Sequence, residues 1–202
     1  MQHSMIFIEE KHCVLAVGGE DENQGLLDSC ESFSLADRQW KMLNSLNQRC
    51  KNVGLCKFVR DGRRNEDRPV FVYAFGKLAV ERMEIGQASP KWEELIVKNF
   101  FPFNACSFAF KYDENLIVIA GGTDEKNSPQ QDVVYFNPSL LRMERAPVQL
   151  SLSDKFTGGT MTQVVMNRLE NKIFFCSEAF VHEVDYGPKA GDSLFKFRAI
   201  LY

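Results

Sequence analysis

Histidine is scarce in this 202-residue chain: three residues, His3, His12 and His182, stand far apart. The six cysteines, Cys13, Cys30, Cys50, Cys56, Cys106 and Cys176, include no Cys-x-x-Cys pair. Zinc sites take their Cys and His ligands in closely spaced pairs, so this scatter argues against a metal, and the cysteines read as small core hydrophobes. Long apolar runs are missing as well. None approaches the ~20 residues of a membrane-spanning helix, and Met5 to Ile8 is broken by Glu9-Glu10-Lys11, unlike a secretory leader. The sequence Asn137-Pro138-Ser139 is excluded as a glycosylation acceptor by its proline. An intracellular, cytoplasmic chain is the resulting expectation. Basic excess is also absent: 24 Lys and Arg against 27 Asp and Glu leave a net charge of -3, short of the footprint of a nucleic-acid surface.

Catalytic signatures are missing too. There is no Gly-x-Ser-x-Gly elbow, no phosphate-binding Gly-x-x-x-x-Gly-Lys and no dinucleotide Gly-x-Gly-x-x-Gly. Ser34 to Trp40 approximates a sialidase aspartate box, but its Asp falls one place late and Arg38 takes the glycine position. His182 and Asp185 are three positions apart and on a strand would face opposite sides. The expectation is a chain that is not an enzyme, with no catalytic residues and no cofactor. A hydrolase, lyase or oxidase is the alternative that would overturn it.

What is present is a repeat. Gly18-Gly19 recurs 103 positions on as Gly121-Gly122, and the same offset carries Phe33 onto Phe136, Trp40 onto Met143 and Trp92 onto Phe195. Long-period self-similarity of this kind marks a repeat architecture. Within each copy, short runs rich in β-branched and aromatic residues predict buried second strands at Cys13 to Val17, Val70 to Phe75, Leu116 to Ala120 and Ile173 to Cys176. First strands are expected at Met5 to Ile8, Val53 to Phe58, Ala105 to Phe110 and Thr160 to Met166. Third strands fall around Phe33 and at Val80 to Ile85, Val133 to Phe136 and Val181 to Tyr186. Fourth strands are anchored by Trp40, Trp92, Met143 and Phe195. Four modules of four strands are the arithmetic of an all-β propeller, here one domain over 1–202 with modules of about 1–49, 50–103, 104–155 and 156–202. Such a ring either closes on four blades or forms part of a larger one.

A strand ending in Gly-Gly, a variable loop, an aromatic and then a Trp resembles the kelch repeat, each repeat of which forms one blade. Gly18, Gly19, Phe33 and Trp40 carry the likeness best. The second module has Phe75-Gly76 and Trp92 without a diglycine, the third has Gly121-Gly122 with Met143 for the Trp, and the fourth keeps only the strand pattern. The first glycine of each pair is expected to take a backbone conformation costly for a residue with a Cβ, the second to allow close approach. Trp40 and Trp92 are expected to fill gaps between adjacent blades.

The resemblance implies a non-catalytic scaffold or adaptor that holds a protein or peptide partner by loops on one face; a purely structural domain within a larger assembly is the competing reading. In such blades the loops after the second strand and those joining blades share that face. Here they contain Glu20, Asp21 and Glu22, then Asp124, Glu125 and Lys126, with Arg49 where the repeat carries an Arg entering the next blade. These residues form the candidate partner-binding set, acidic on balance and suited to a basic peptide; acidic loops also serve solubility alone. The charged run Arg60 to Arg68 reads as a solvated loop, its acids offsetting most of its arginines. The phenylalanines between Asn99 and Phe110 read as core.

Overall fold

The computed structural model describes residues 3–59, 69–102, 108–123, 132–149, 161–167, 172–177, 181–186 and 195–200, as backbone alone from 147 onward. The short apolar runs form antiparallel strands grouped in four sheets, each strand pairing with its neighbour in sequence. The first sheet comprises β1 (Ser4–Ile8), β2 (Cys13–Val17), β3 (Cys30–Ser34) and β4 (Gln39–Met42). The second holds β5 (Gly54–Val59), β6 (Val70–Phe75), β7 (Val80–Ile85) and β8 (Trp92–Leu95). The third has β9 (Phe108–Asp113), β10 (Leu116–Ala120), β11 (Asp132–Asn137) and β12 (Arg142–Gln149), and the fourth β13 (Met161–Asn167), β14 (Lys172–Ser177), β15 (Val181–Tyr186) and β16 (Phe195–Ile200). The chain is therefore all-β. Among the described residues the helical content is a single 3-10 turn, Glu9–Lys11, and no helix is long and apolar enough to cross a membrane.

Local chemistry sets the turns, and the repeat is visible in them. Ser34 and Asn137 occupy equivalent positions at the end of β3 and β11. Ser34 Oγ accepts from Asp37 N at 3.2 Å, while Asn137 Oδ1 accepts from Ser139 N and Leu140 N at 3.0 and 2.9 Å. These are the side-chain turns that Ser and Asn favour. Both turns then pass through a left-handed residue, Arg38 at φ 54 and Leu141 at φ 48, so conformation as well as sequence repeats. The β9–β10 turn is closed in the same way by Asp113 Oδ1, which accepts from Asn115 N at 2.7 Å.

Among the described residues, two apolar clusters join the first three sheets. Ile8, Leu15, Val17 and Cys30 of the first sheet pack against Val70, Val72, Met83 and Trp92 of the second. The opposite side of the second, with Phe58, Tyr73 and Phe75, packs against Ile117, Ile119, Phe136 and Met143 of the third. Phe75 and Phe136 meet edge to face, 5.4 Å between ring centres, a geometry that the ring quadrupoles favour. The first strands are also serial neighbours, β1 beside β5, β5 beside β9 and β9 beside β13. Phe100 and Phe101 pack against the second cluster, and Phe108 and Phe110 are buried, as expected of core aromatics.

One packing expectation fails. Trp40 does not fill a gap between sheets: it is 51% exposed, whereas Trp92 is 6% exposed. Trp40 lies on the face of the first sheet turned away from the second, and its described ring contact is Phe33, at 5.2 Å. Two of the first strands also extend beyond their expected ends, β5 reaching Val59 and β9 reaching Asp113. The loop Arg60 to Arg68, residues 105–107 and residues 124–131 lie outside the described residues.

Candidate interaction rim

The second strand delivers the chain to Gly18 and Gly19 at φ 61 and 122, a region where a Cβ is strained. The close approach falls on the first glycine rather than the second. A Cβ on Gly18 would stand 2.5 Å from the Cys50 carbonyl oxygen, while one on Gly19 would meet the His3 side chain at 3.2 Å. Gly19 N donates to Cys50 O at 2.7 Å, Cys50 N to Leu27 O at 2.9 Å and Leu27 N to Gly19 O at 3.0 Å. The base of the 20–27 loop is thereby laced to the connection between the first and second sheets.

Asp21 shapes the loop itself. Its Oδ1 accepts from Asn23 N at 2.9 Å and Gly25 N at 2.7 Å, while Asp21 N donates to Gly25 O at 3.0 Å. Any Cβ at Gly25 would crowd that carboxylate, at 2.9 Å from Oδ2. The tip, Glu22 to Gln24, is exposed. Glu20 is not a bare charge: its Oε2 lies 2.9 Å from Lys51 Nζ, with the Glu20 side chain only 18% exposed. Arg49 Nε lies 3.9 Å from Asp28 Oδ2, both well exposed, a pair of little energetic weight.

Beneath the connection lies a buried carboxylate. Glu81 of β7 is 4% exposed, and its Oε2 accepts from Asn47 N at 2.8 Å and Asn47 Nδ2 at 2.7 Å. Burial pushes its pKa above the ordinary value, partly opposed by the bonds from Asn47 and the Gln48 backbone, and nearby Glu94 raises it further. Burial also pushes the Cys50 thiol up to about 11, with Glu81 and Asp28 adding to it. The connection 47–51 is thus held by Glu81 on one side and the glycine loop on the other.

The candidate residues Glu20, Asp21, Glu22 and Arg49 come together on this rim; Asp124, Glu125 and Lys126 lie outside the described residues. Asp28, Lys51, Asn47 and Glu81 were not singled out from sequence. A signal existed for Glu81, which interrupts the apolar alternation Ala79, Met83, Ile85. Lys51 and Asp28 offered none, because their partners are distant in sequence. Among the described residues no group of three His, Cys, Asp or Glu is placed to hold a metal ion. What the rim can do chemically is present a fixed backbone with acids outnumbering bases, which attracts cationic groups by Coulomb forces.

No family model and no curated protein matches the chain. Among solved structures 155 chains match, so the backbone path is a recurrent one. One, described as "Structure of YjhT", aligns with a TM-score of 0.61 at 10% identity, covering 97% of this chain and 68% of that one. At this identity the likeness is one of fold alone.

Proposed function

We propose that the four sheets are blades of a kelch-type β-propeller and that the chain is a non-catalytic scaffold or adaptor, holding a protein or peptide partner on the rim that carries the 20–27 loop. Four successive four-stranded meanders with serially adjacent first strands support the architecture. The glycine pairs support the kelch assignment, Gly121 and Gly122 repeating the positive φ of Gly18 and Gly19. The observation that carries the functional reading is the construction of the loop. Its base is bonded to the inter-sheet connection, its turn is closed by Asp21, and its exposed tip is acidic. A loop held in this way loses little entropy when a partner binds, and its charge favours a basic peptide mainly through association rate. Free thiols at Cys13, Cys30, Cys50 and Cys56 suit the reducing cytoplasm, where we place the protein.

The test is capture of partners from cytosolic extract by the intact chain, followed by binding measurements on the captured partner at two salt concentrations. Changing Glu20 and Glu22 to Gln, Asp124 to Asn and Glu125 to Gln leaves the Asp21 turn in place. It is expected to weaken binding and flatten its salt dependence. Unchanged affinity and unchanged salt response would remove this rim as the site, and failure to retain any discrete partner would favour the purely structural reading.

A further inference from the structure

Glu81 is the one buried charged or polar residue among the described residues, and a carboxylate removed from water is costly unless its oxygens are well bonded. The repeat shows that packing between sheets does not call for one at this place. Glu81 stands two positions before Met83, the register partner of Trp92. The corresponding residue of the third sheet, two positions before Phe136, the partner of Met143, is Val134. Val134 is fully buried in the cluster between the second and third sheets, so an apolar side chain fills the equivalent position there.

The bonds of Glu81 run to the connection that leaves the first sheet. Its Oε2 accepts from Asn47 N and Nδ2, and the Gln48 backbone donates to the same carboxylate. Asn47 Nδ2 also lies 3.3 Å from Trp92 O, so Asn47 is tied to both β7 and β8 of the second sheet. Leu46 N donates to Asp28 O at 2.8 Å, fixing the connection to the first sheet just ahead of that point. Beyond it comes Cys50, which holds the 20–27 loop at both ends: its carbonyl accepts from Gly19 N and its N–H donates to Leu27 O. The contact leaves no slack, since even a Cβ at Gly18 would meet the Cys50 carbonyl oxygen at 2.5 Å. A displacement of Cys50 is therefore passed to both ends of the loop. The tip differs, because the Asp21 turn is bonded within the loop itself.

We propose that Glu81 is a positioning residue for the rim: from the second sheet it fixes where the 20–27 loop of the first sheet stands, acting through Asn47 and Cys50. The base of the loop is then set by the junction of two sheets, while the Asp21 turn keeps its shape independently. That the loop binds a partner rests on the reading proposed above; the coupling to Glu81 does not, and it is tested without a partner.

The experiment is amide hydrogen exchange, read residue by residue by NMR on the isotope-labelled intact chain. Glu81→Ala removes the acceptor and is expected to speed exchange at Gly19, Leu27 and Cys50 by about tenfold or more. Asn23 and Gly25 in the Asp21 turn, and the amides of β10 in the third sheet, are expected to keep the parent's rates. Glu81→Gln retains an oxygen that accepts from Asn47 and is expected to restore the parent's protection. Asn47→Asp, at an exposed position, sets a second carboxylate against the first and is expected to reproduce the Glu81→Ala pattern, which keeps the result decisive if Glu81→Ala does not fold. Unchanged exchange at Gly19, Leu27 and Cys50 in these variants overturns the proposal. Equal acceleration in the loop and in β10 overturns it too, as a general loss of stability, and so does a Glu81→Gln loop that exchanges as fast as that of Glu81→Ala. Failure to capture a partner alongside the expected exchange pattern counts against the rim as a binding site and supports the positioning by Glu81.

Discussion

Gly18, Gly76 and Gly121 end equivalent strands, yet they face different constraints. Gly18 and Gly121 have φ of 61 and 74, while Gly76 is not among the positive-φ glycines, and a Cβ there would meet nothing closer than the Ala79 carbonyl at 3.4 Å. Gly121→Ala is expected to destabilise by about 1 kcal/mol, Gly18→Ala by more because of the Cys50 carbonyl, and Gly76→Ala by little. Urea titration of the three variants orders them. Glu81 gives a second prediction at this scale. Its folded-state pKa lies above the unfolded value near 4.5, so the folded protein binds the extra proton and stability falls as pH rises through the folded-state value. The parent is thus expected to lose stability relative to Glu81→Gln as pH is raised from 4.5 towards neutrality. A parallel pH dependence in the two proteins would show that Glu81 does not titrate there. Removing the acceptor altogether, in Glu81→Ala, leaves the Asn47 donors to find water and is expected to cost about 1 to 3 kcal/mol.

At the level of the element, Trp40 and Trp92 hold the same register position in β4 and β8 and have opposite energetic weight. Trp92→Ala removes a buried aromatic from the cluster between two sheets and is expected to cost about 3 to 5 kcal/mol. Trp40→Ala loses chiefly its cross-strand pairing with Phe33 and is expected to cost about 0.5 to 1.5 kcal/mol. Denaturant unfolding of the two variants checks the ratio. The same sequence signal, a Trp in the fourth strand of a module, thus has a consequence set by whether a neighbouring sheet lies across from it.

For the whole molecule, the second sheet is shared by both apolar clusters, one on each of its faces. Its central strand β6 is bonded on both edges, and five of its six residues are buried. The opposite extreme is β4, an edge strand with every residue exposed. Native-state hydrogen exchange is therefore expected to be slowest in β6 and the equally enclosed β10, and fastest in β4. Uniform protection across the strands would show that the sheets open only together.

Much of the architecture was legible because strand signals are local. The runs Cys13 to Val17, Val70 to Phe75 and Leu116 to Ala120 became strands with those bounds, since alternation, β-branching and turn residues act over a few positions. The repeat foretold the matching left-handed glycines, while the candidate set Glu20, Asp21, Glu22 and Arg49 came from the kelch resemblance. Other features depended on residues far apart in sequence. Nothing local says that Lys51 will offset Glu20, that Glu81 will be buried under Asn47, or that the Cys50 carbonyl will be what excludes a side chain at Gly18. Trp40 shows the division most plainly. The sequence determined which face of its sheet the indole occupies, through strand alternation, and tertiary structure alone decided its exposure, because burial requires a second surface opposite and the described chain places none there.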